Sequence, residues 1–593
     1  MDTVLEFLRD RAVDSADSPA IYQIASDGGW QSTSWSVVWN QINTLAQGFC
    51  HLGLKPGHRL AIIASSSLEW ELTHLSALAA GAVVIGLDAH DSPARLERVL
   101  RDAQVTGLVI KDRGLLKKLS SAQSSLKFVV ALQDDGNNKD ADAGPDLIPW
   151  TALLLHDSEA RQARFRLPHA NSPATLIYTS GTTGEPKGIL YTHGQLVLAC
   201  EAILATLPTP LPGARFICWL PLSNLFQRIM NLCAMATGSA LYMVPDPTKV
   251  LDFVSTIQPD VFIGVPRFYE KLANGIKAKL AQQTGLRWWL GNYGLQVGHE
   301  YASLQRAGLN PGVSLRLRYW LADRLVLSRL RALMGGRLRY MISGSAPIPT
   351  WILEFFHSFG WLVLEAYGMS ENILPMAMNT PSAYRFGSVG KILPSNQVKL
   401  DEEGHISVRG PGVFNGYQGD TAKPYFVDEH YQTGDIGEVD EQGFLRLTGR
   451  NSDIIKTSAG RRIALPPIEA ALREVPWIDH ATVIGASRKC LVAVLAIDRA
   501  ALGTAPVLDL AKLQVEIVEK LQQIAGHERP AGALLVTKPF TVEGGELTTN
   551  LKLRRQEIER KYLEPVQTLF AQIDNGIANQ DQKANRFVIH IHE

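Results

Sequence analysis

Short apolar runs alternate with helical stretches through the early part of the chain, and few architectures accommodate that alternation. Residues 59–65 (RLAIIAS), 82–86 (AVVIG) and 107–110 (GLVI) have the length and β-branched content of buried strands. Between them, 69–80 and 94–103 read as helices, the second amphipathic. Strands separated by helices of this length pair in parallel, and a parallel sheet needs helices on its faces. The reading is an α/β fold: a large N-terminal domain of layered α/β subdomains, followed by a small, mobile C-terminal α+β domain.

At 593 residues the chain is too long for one hydrophobic core. Up to about residue 447 it is rich in glycine and short strands. Beyond Arg450 comes a compact alternation: 468–474 as helix, 481–485 and 491–497 as strands, 508–521 as helix. The expected domains are therefore 1–449 and 450–593. The polar segment 134–146 (DDGNNKDADAGPD) reads as a surface loop.

Lys+Arg and Asp+Glu balance at 58 each, so the basic excess of a nucleic-acid partner is missing. Five scattered cysteines form no CxxC pair and suit a reducing compartment. The N-terminus, with acids throughout, reads as an amphipathic helix and not as a signal peptide. No run approaches the ~20 apolar residues of a membrane span. The expected setting is the cytoplasm, with contact at a membrane surface.

The sharpest motif follows an apolar strand over 174–178. Residues 179–188 (TSGTTGEPKG) hold hydroxyls, glycines and one lysine, Lys187. Glycines admit close approach of an anion, and exposed N–H groups and hydroxyls donate to phosphate oxygens. Pro186 stands where a Walker A loop needs its second glycine, so the loop is of another kind. Taken alone, it could equally be a flexible Ser/Gly turn.

Five motifs in order remove that ambiguity. After TSGTTGEPKG come GSAP (344–347), EAYGMSE (365–371), YQTGD (431–435) with TGR (448–450), and LTTNLK (547–552). The set resembles the adenylate-forming superfamily of acyl-CoA synthetases, peptide-synthetase adenylation domains and luciferases, over nearly the whole chain. The resemblance implies activation of a carboxylic acid by ATP with Mg²⁺, then acyl transfer to a thiol. It places Thr179, Ser180, Gly181, Thr182, Thr183, Gly184 and Lys187 around the phosphates. Gly344, Ser345 and Ala346 would line the base pocket, with Tyr367 stacking on adenine beside Gly368, Met369 and Ser370. Asp435 would accept the ribose hydroxyls and Arg450 would reach the ribose or α-phosphate. Glu371, with Thr182 as a second oxygen, would hold the metal. Lys552 would set a cation between the attacking carboxylate and the α-phosphate.

Within that superfamily the chain is most similar to long-chain fatty acyl-CoA synthetases. LPLSNLFQR (220–228) resembles their LPLSH-type element. FIGVPRFYEK (262–271) resembles the segment lining their acyl tunnel, which assigns Phe262, Gly264, Val265 and Pro266 to the acyl site and Asn224 to its gate. The stretch 315–331 and the GGRLRY that follows at 335–340 resemble an insertion of that subgroup. The substrate implied is a medium- or long-chain fatty acid, and the acceptor is coenzyme A. A carrier-protein phosphopantetheine is the alternative acceptor, and a non-catalytic nucleotide-binding protein a further alternative. A basic, aromatic region over 287–339 could rest on an anionic membrane or be a surface helical pair.

The resemblance also implies a hinge after the first half-reaction, at Ser452 beside Asp453. It brings in a thiol-entry face of Lys456, Ser458, Ala459 and Gly460. Four positions depart from the family pattern: Asn224 for histidine, Gln227 for glutamate, Ser452 for lysine or aspartate, and Ala459 for glycine.

Overall fold

The computed structural model describes residues 1–119, 126–133, 147–155, 167–180, 186–208, 212–420, 424–475, 477–498, 509–541, 544–547, 553–578 and 587–592. The loop expected over 134–146 lies outside the described residues.

The apolar runs become one sheet of seven strands. Its order is Leu147–Pro149, Phe128–Ala131, Gly107–Ile110, Arg59–Ile63, Val83–Leu87, Pro173–Ser180 and Pro186–Thr192. All neighbours are parallel except the last pair, a hairpin. Helix Leu68–Ala79, capped by the Ser67 side chain, is buried almost all round, as a helix packed on more than one side must be. Helix Pro93–Asp102 buries only Leu96, Val99 and Leu100, and is amphipathic as expected. In this sheet and its helices, element edges differ from the sequence reading by one or two residues, the usual scatter at element ends; past Arg450 a helix and a strand each begin three residues earlier than expected, at Leu465 and Ile478.

A second, larger sheet carries seven strands in the order Trp30–Ser34, Pro19–Ile24, Ala240–Met243, Arg215–Cys218, Val261–Gly264, Tyr340–Ser343 and Val363–Met369, then continues through antiparallel strands as far as Gln397–Leu400. Three parallel strands end side by side: Gly264 pairs in register with Ser343, and Ser343 with Glu365. Ligands of open α/β sheets bind beyond such carboxyl ends. Tyr367 and Glu371 lie on the hairpin of Val363–Met369 with Asn372–Met378. Glu371 is therefore a turn residue.

Past Arg450 a ribbon of Ile454–Lys456 and Arg462–Ala464 leads to a separate four-stranded sheet, ordered Ile478–Ile484, Leu491–Ile497, Pro530–Val536 and Val588–His592. One face carries helices Leu465–Arg473 and Leu510–Leu521, and the other carries Arg555–Lys561 and Leu563–Ala578, each with its own apolar cluster. The last strand, parallel to Pro530–Val536, has no counterpart in the sequence reading. Ion pairs join this unit to the helix Pro266–Ala281: Arg267 meets Asp479, and Glu270 lies 3.6 Å from Arg473. Burial and then the nearby Arg267, Arg473 and Lys271 hold His480 down at about 3, so it is neutral there.

Helix Gly285–Arg306 packs on the larger domain through glycines. A Cβ at Gly298 would run into the carbonyl oxygen of Ser358 and crowd Leu327. Because that neighbour is backbone, Gly298→Ala should cost at least about 2 kcal/mol, read as a lowered thermal midpoint. An unchanged midpoint would show that the helix can shift freely.

Candidate active site

The loop motif is the tip of the hairpin Pro173–Ser180/Pro186–Thr192, where Thr179 pairs with Lys187 and Ser180 with Pro186. Residues 181–185, which include Gly181, Thr182, Thr183 and Gly184, lie outside the described residues. Lys187 projects over two aromatic rings, its Nζ 4.8 Å from the Tyr417 centroid and 4.7 Å from that of Tyr425, and it donates to the Tyr425 hydroxyl. Tyr417 in turn donates to Glu371 Oε1 at 2.7 Å. One tyrosine thus touches both the cation of the first motif and the carboxylate of the second.

The rest of the turn is pinned. Tyr191 donates to the Ser370 carbonyl at 2.6 Å, and the Phe414 amide to the Glu371 carbonyl at 2.9 Å. Burial and then the Glu371 charge push the Tyr191 and Tyr417 hydroxyls upward, and Tyr431 to about 12. All three stay protonated donors at neutral pH. Glu371 Oε2 has no hydrogen-bond partner among the described residues. A carboxylate fixed through one oxygen and open at the other suits a hard divalent cation such as Mg²⁺.

Beside this lies a second constellation. Asp435 is buried on strand His430–Val439. It accepts from the Tyr367 hydroxyl through Oδ2 and from Arg450 Nε, 2.6 Å away, through Oδ1. The pairing Asp435–Arg450 is a cross-strand register pair. Gly344 directly follows strand Tyr340–Ser343, and its amide reaches the Gly264 carbonyl at 3.3 Å. Ser345 takes φ +75°, a left-handed conformation that non-glycine residues rarely adopt and that functional turns often store. Ala346 is exposed. Gly368, Met369 and Ser370 form the way into the turn before Glu371.

Around the acyl segment, Asn224 caps helix Leu225–Ala236, its side chain accepting from the Phe226 amide at 3.0 Å. An asparagine is a favoured residue for that work. Gln227 is buried; it accepts from the Leu220 amide at 3.1 Å and donates to Asn231 at 2.8 Å. Phe262 is buried among Trp219, Phe268 and Tyr269. A Cβ at Gly264 would lie 3.1 Å from the Tyr269 ring. Val265 and Pro266 open helix Pro266–Ala281.

The remaining predicted residues follow Arg450 in the chain, and Asp453 is in electrostatic reach of Arg450. Asp453 pairs with Arg555 at 3.2 Å, and Arg555 also binds Glu469. Ser452 sits in the short helical turn Asn451–Asp453. Lys456, Ser458, Ala459 and Gly460 belong to the exposed ribbon turn. Gly460 has φ +80°, whereas Ala459 is absent from the positive-φ residues. The turn's backbone therefore requires glycine at 460 and tolerates alanine at 459. Lys552 lies outside the described residues. Its neighbours Leu547 and Leu553 pair as an antiparallel bridge, and Arg554 is in electrostatic reach of Asp91 in the large domain.

Sequence reasoning overlooked Tyr191, which carries no local signal, and Tyr417 and Tyr425, whose only signal was an aromatic next to glycine or proline in 416–425. It also overlooked the side chain of Glu365, although that residue opens the quoted motif. Glu365 Oε2 and its register partner Ser343 Oγ are buried without hydrogen-bond partners among the described residues.

Comparison with known proteins gives the family and the fold. The family described as "AMP-binding enzyme" matches residues 8–418, and the chain belongs to that family. It is 30% identical over 588 residues to the long-chain-fatty-acid–CoA ligase FadD15 of Mycobacterium tuberculosis, covering 93% of this chain and 94% of the relative. It is 28% identical over 602 residues to the long-chain-fatty-acid–CoA ligase ACSBG2 of Xenopus laevis, covering 91% and 80%. Two solved structures share its fold. One is the A-PCP didomain of a carboxylic acid reductase from Segniliparus rugosus with AMP (TM-score 0.77, 20% identity, 97% of this chain and 82% of that one). The other is ATP-bound MatB from Rhodopseudomonas palustris (TM-score 0.71, 22% identity, 95% and 99%).

Burial pushes Glu365 up to about 8, opposed by a hydrogen bond from the Ile348 backbone. A carboxyl whose pKa is raised on folding contributes stability that is present below the ordinary range of about 4.5 and lost as pH climbs through about 8. Wild type should therefore lose stability relative to Glu365→Gln between pH 5 and 8, by on the order of a few kcal/mol. Parallel pH profiles of the two thermal midpoints would contradict this. Separately, Tyr417→Phe should lower the rate of the ATP-dependent step by about tenfold or more, the scale of a lost hydrogen bond to a charged group. Steady-state kinetics unchanged by the substitution would separate Glu371 from Tyr417.

Proposed function

We propose that this protein activates a medium- or long-chain fatty acid with ATP, releasing pyrophosphate, and transfers the acyl group to coenzyme A. The observation that carries this reading is 30% identity to a long-chain-fatty-acid–CoA ligase across an alignment that covers 93% of the chain. The geometry supports it by gathering Lys187, Glu371, Tyr367, Asp435 and Arg450 at linked positions on adjoining strands and turns.

In the first step a carboxylate oxygen bonds to the α-phosphorus as the bond to pyrophosphate breaks. Two anions must meet, so charge neutralisation and alignment supply most of the rate. Lys187 and the loop 179–184 hold the departing phosphates. Asp435 and Arg450 hold the ribose side, while Tyr367 covers the base beside Gly344, Ser345 and Ala346. Mg²⁺, bound by Glu371 with Thr182, would offset phosphate charge. Lys552 bridges the carboxylate and the α-phosphate. In the second step the thiol sulfur bonds to the acyl carbon, the acyl–phosphate bond breaks, and AMP leaves. The domain of 450–593 turns between steps about Ser452 and Asp453, which brings in Lys456 and the turn at Ser458, Ala459 and Gly460. The acyl chain lies against the segment 262–266 behind Asn224. The setting is cytoplasmic, at the membrane surface from which such acids are drawn.

Pyrophosphate release should appear with acids between about C8 and C18, each buried CH₂ contributing about 0.8 kcal/mol. Lys552→Ala should abolish adenylate formation yet leave thioester formation from supplied acyl-AMP largely intact. Equal loss in both half-reactions would refute the role of Lys552. Offering coenzyme A and an acyl carrier protein side by side decides the acceptor, since acyl-carrier formed without acyl-CoA would overturn coenzyme A.

A further inference from the structure

The helical hairpin over 285–332 presents its apolar residues to solvent. Its inner face is closed by Tyr301 stacked on Tyr319 at 4.0 Å and by Gly294 against Val326. On the second helix, Leu317, Trp320, Leu321 and Leu325 recur at helical spacing and are all exposed. On the first turn of the first helix, Trp288 and Trp289 are 49% and 53% exposed, and Trp320 is 54% exposed. These are the only exposed tryptophans of the chain's twelve, all of which are described.

The charge around them has one sign. Residues 285–332 hold seven arginines and no lysine, against two acids, Glu300 and Asp323. Both acids are already paired, with Arg318 at 3.1 Å and with Arg331 at 2.6 Å. Arg287, Arg316, Arg324 and Arg329 are exposed and have no acidic partner among the described residues. The whole chain carries equal numbers of acids and bases, so this excess is local.

We infer that this hairpin docks on an anionic lipid bilayer, its tryptophans and leucines at the headgroup boundary and its unpaired arginines on lipid phosphates. Tryptophan favours that boundary, and arginines near it gain from the surface potential. The chain would lie on the membrane, since no helix among the described residues is long and apolar enough to cross one. The first helix also rests on the helix that starts at Pro266, with Gly291 against Leu280.

Co-sedimentation of the full chain with phosphatidylglycerol–phosphatidylcholine vesicles, without ATP or fatty acid, tests the docking apart from the enzymology. The chain should pellet with these vesicles, remain in solution with pure phosphatidylcholine, and be released by high salt. The variant Arg287→Glu/Arg316→Glu/Arg324→Glu should lose affinity by about a hundredfold or more, about fivefold for each arginine removed. Trp288→Ser/Trp289→Ser/Trp320→Ser should also lose binding while keeping wild-type kcat/KM on soluble octanoate. Wild type left in the supernatant, or either variant binding as tightly as wild type, would overturn the inference. So would a concentration-dependent dimer, seen by sedimentation velocity without vesicle binding and abolished by the same substitutions, which would make the face a self-association surface.

Discussion

Tyr417 stands between a lysine and a glutamate. Its ring faces Lys187 and its hydroxyl donates to Glu371, so opposite charges from two different sheets are held against one side chain. A carboxylate and an ammonium left free would pair directly and neutralise each other. Kept apart by an aromatic ring, each retains capacity for a third party: the lysine for a phosphate, the glutamate for a cation. The surrounding hydrogen bonds from Tyr191 and the Phe414 amide fix the turn that carries the glutamate. Disturbing the hairpin of the first motif or the turn of the second would release both partners.

That arrangement depends on where the strands end. The hairpin Pro173–Ser180/Pro186–Thr192 closes one edge of the seven-stranded sheet, while Val363–Met369 leaves the parallel part of the larger sheet and turns at Glu371. Asp435 and Arg450 are register partners on two further strands, so their pairing is set by the ladder. The unit beyond Arg450 is coupled to this frame by side chains that can separate. Arg555 ties the segment after Lys552 to Asp453, and Arg267 and Glu270 meet Asp479 and Arg473. Ion pairs at a partly exposed boundary contribute little individually, which is compatible with the proposed turning of this unit between steps.

Much of this was legible in the sequence because it is local. The runs at 59–63, 83–87 and 107–110 show their burial in their own composition, and the hydroxyl- and glycine-rich motif directly follows its strand. The tyrosines were not legible. Tyr417 and Tyr425 sit in a loop more than 40 residues from Glu371, and nothing in local spacing marks an aromatic as a ligand's support. Parallel pairing of Val588–His592 with Pro530–Val536 was hidden for the same reason, since a five-residue strand has no period that names its partner. Glu365 was quoted as part of a motif, yet its burial follows from three strands meeting in register. In the turn at 458–460 the left-handed backbone falls on Gly460, at φ +80°, which the spacing of the motif alone does not reveal.

The most direct measurement is a single-turnover reaction with one long-chain fatty acid, ATP and Mg²⁺, quenched before any thiol is added. The account predicts acyl-AMP accumulating to about one equivalent per chain, then disappearing into acyl-CoA on addition of coenzyme A. Tight nucleotide binding with no acyl-AMP at any time would contradict it.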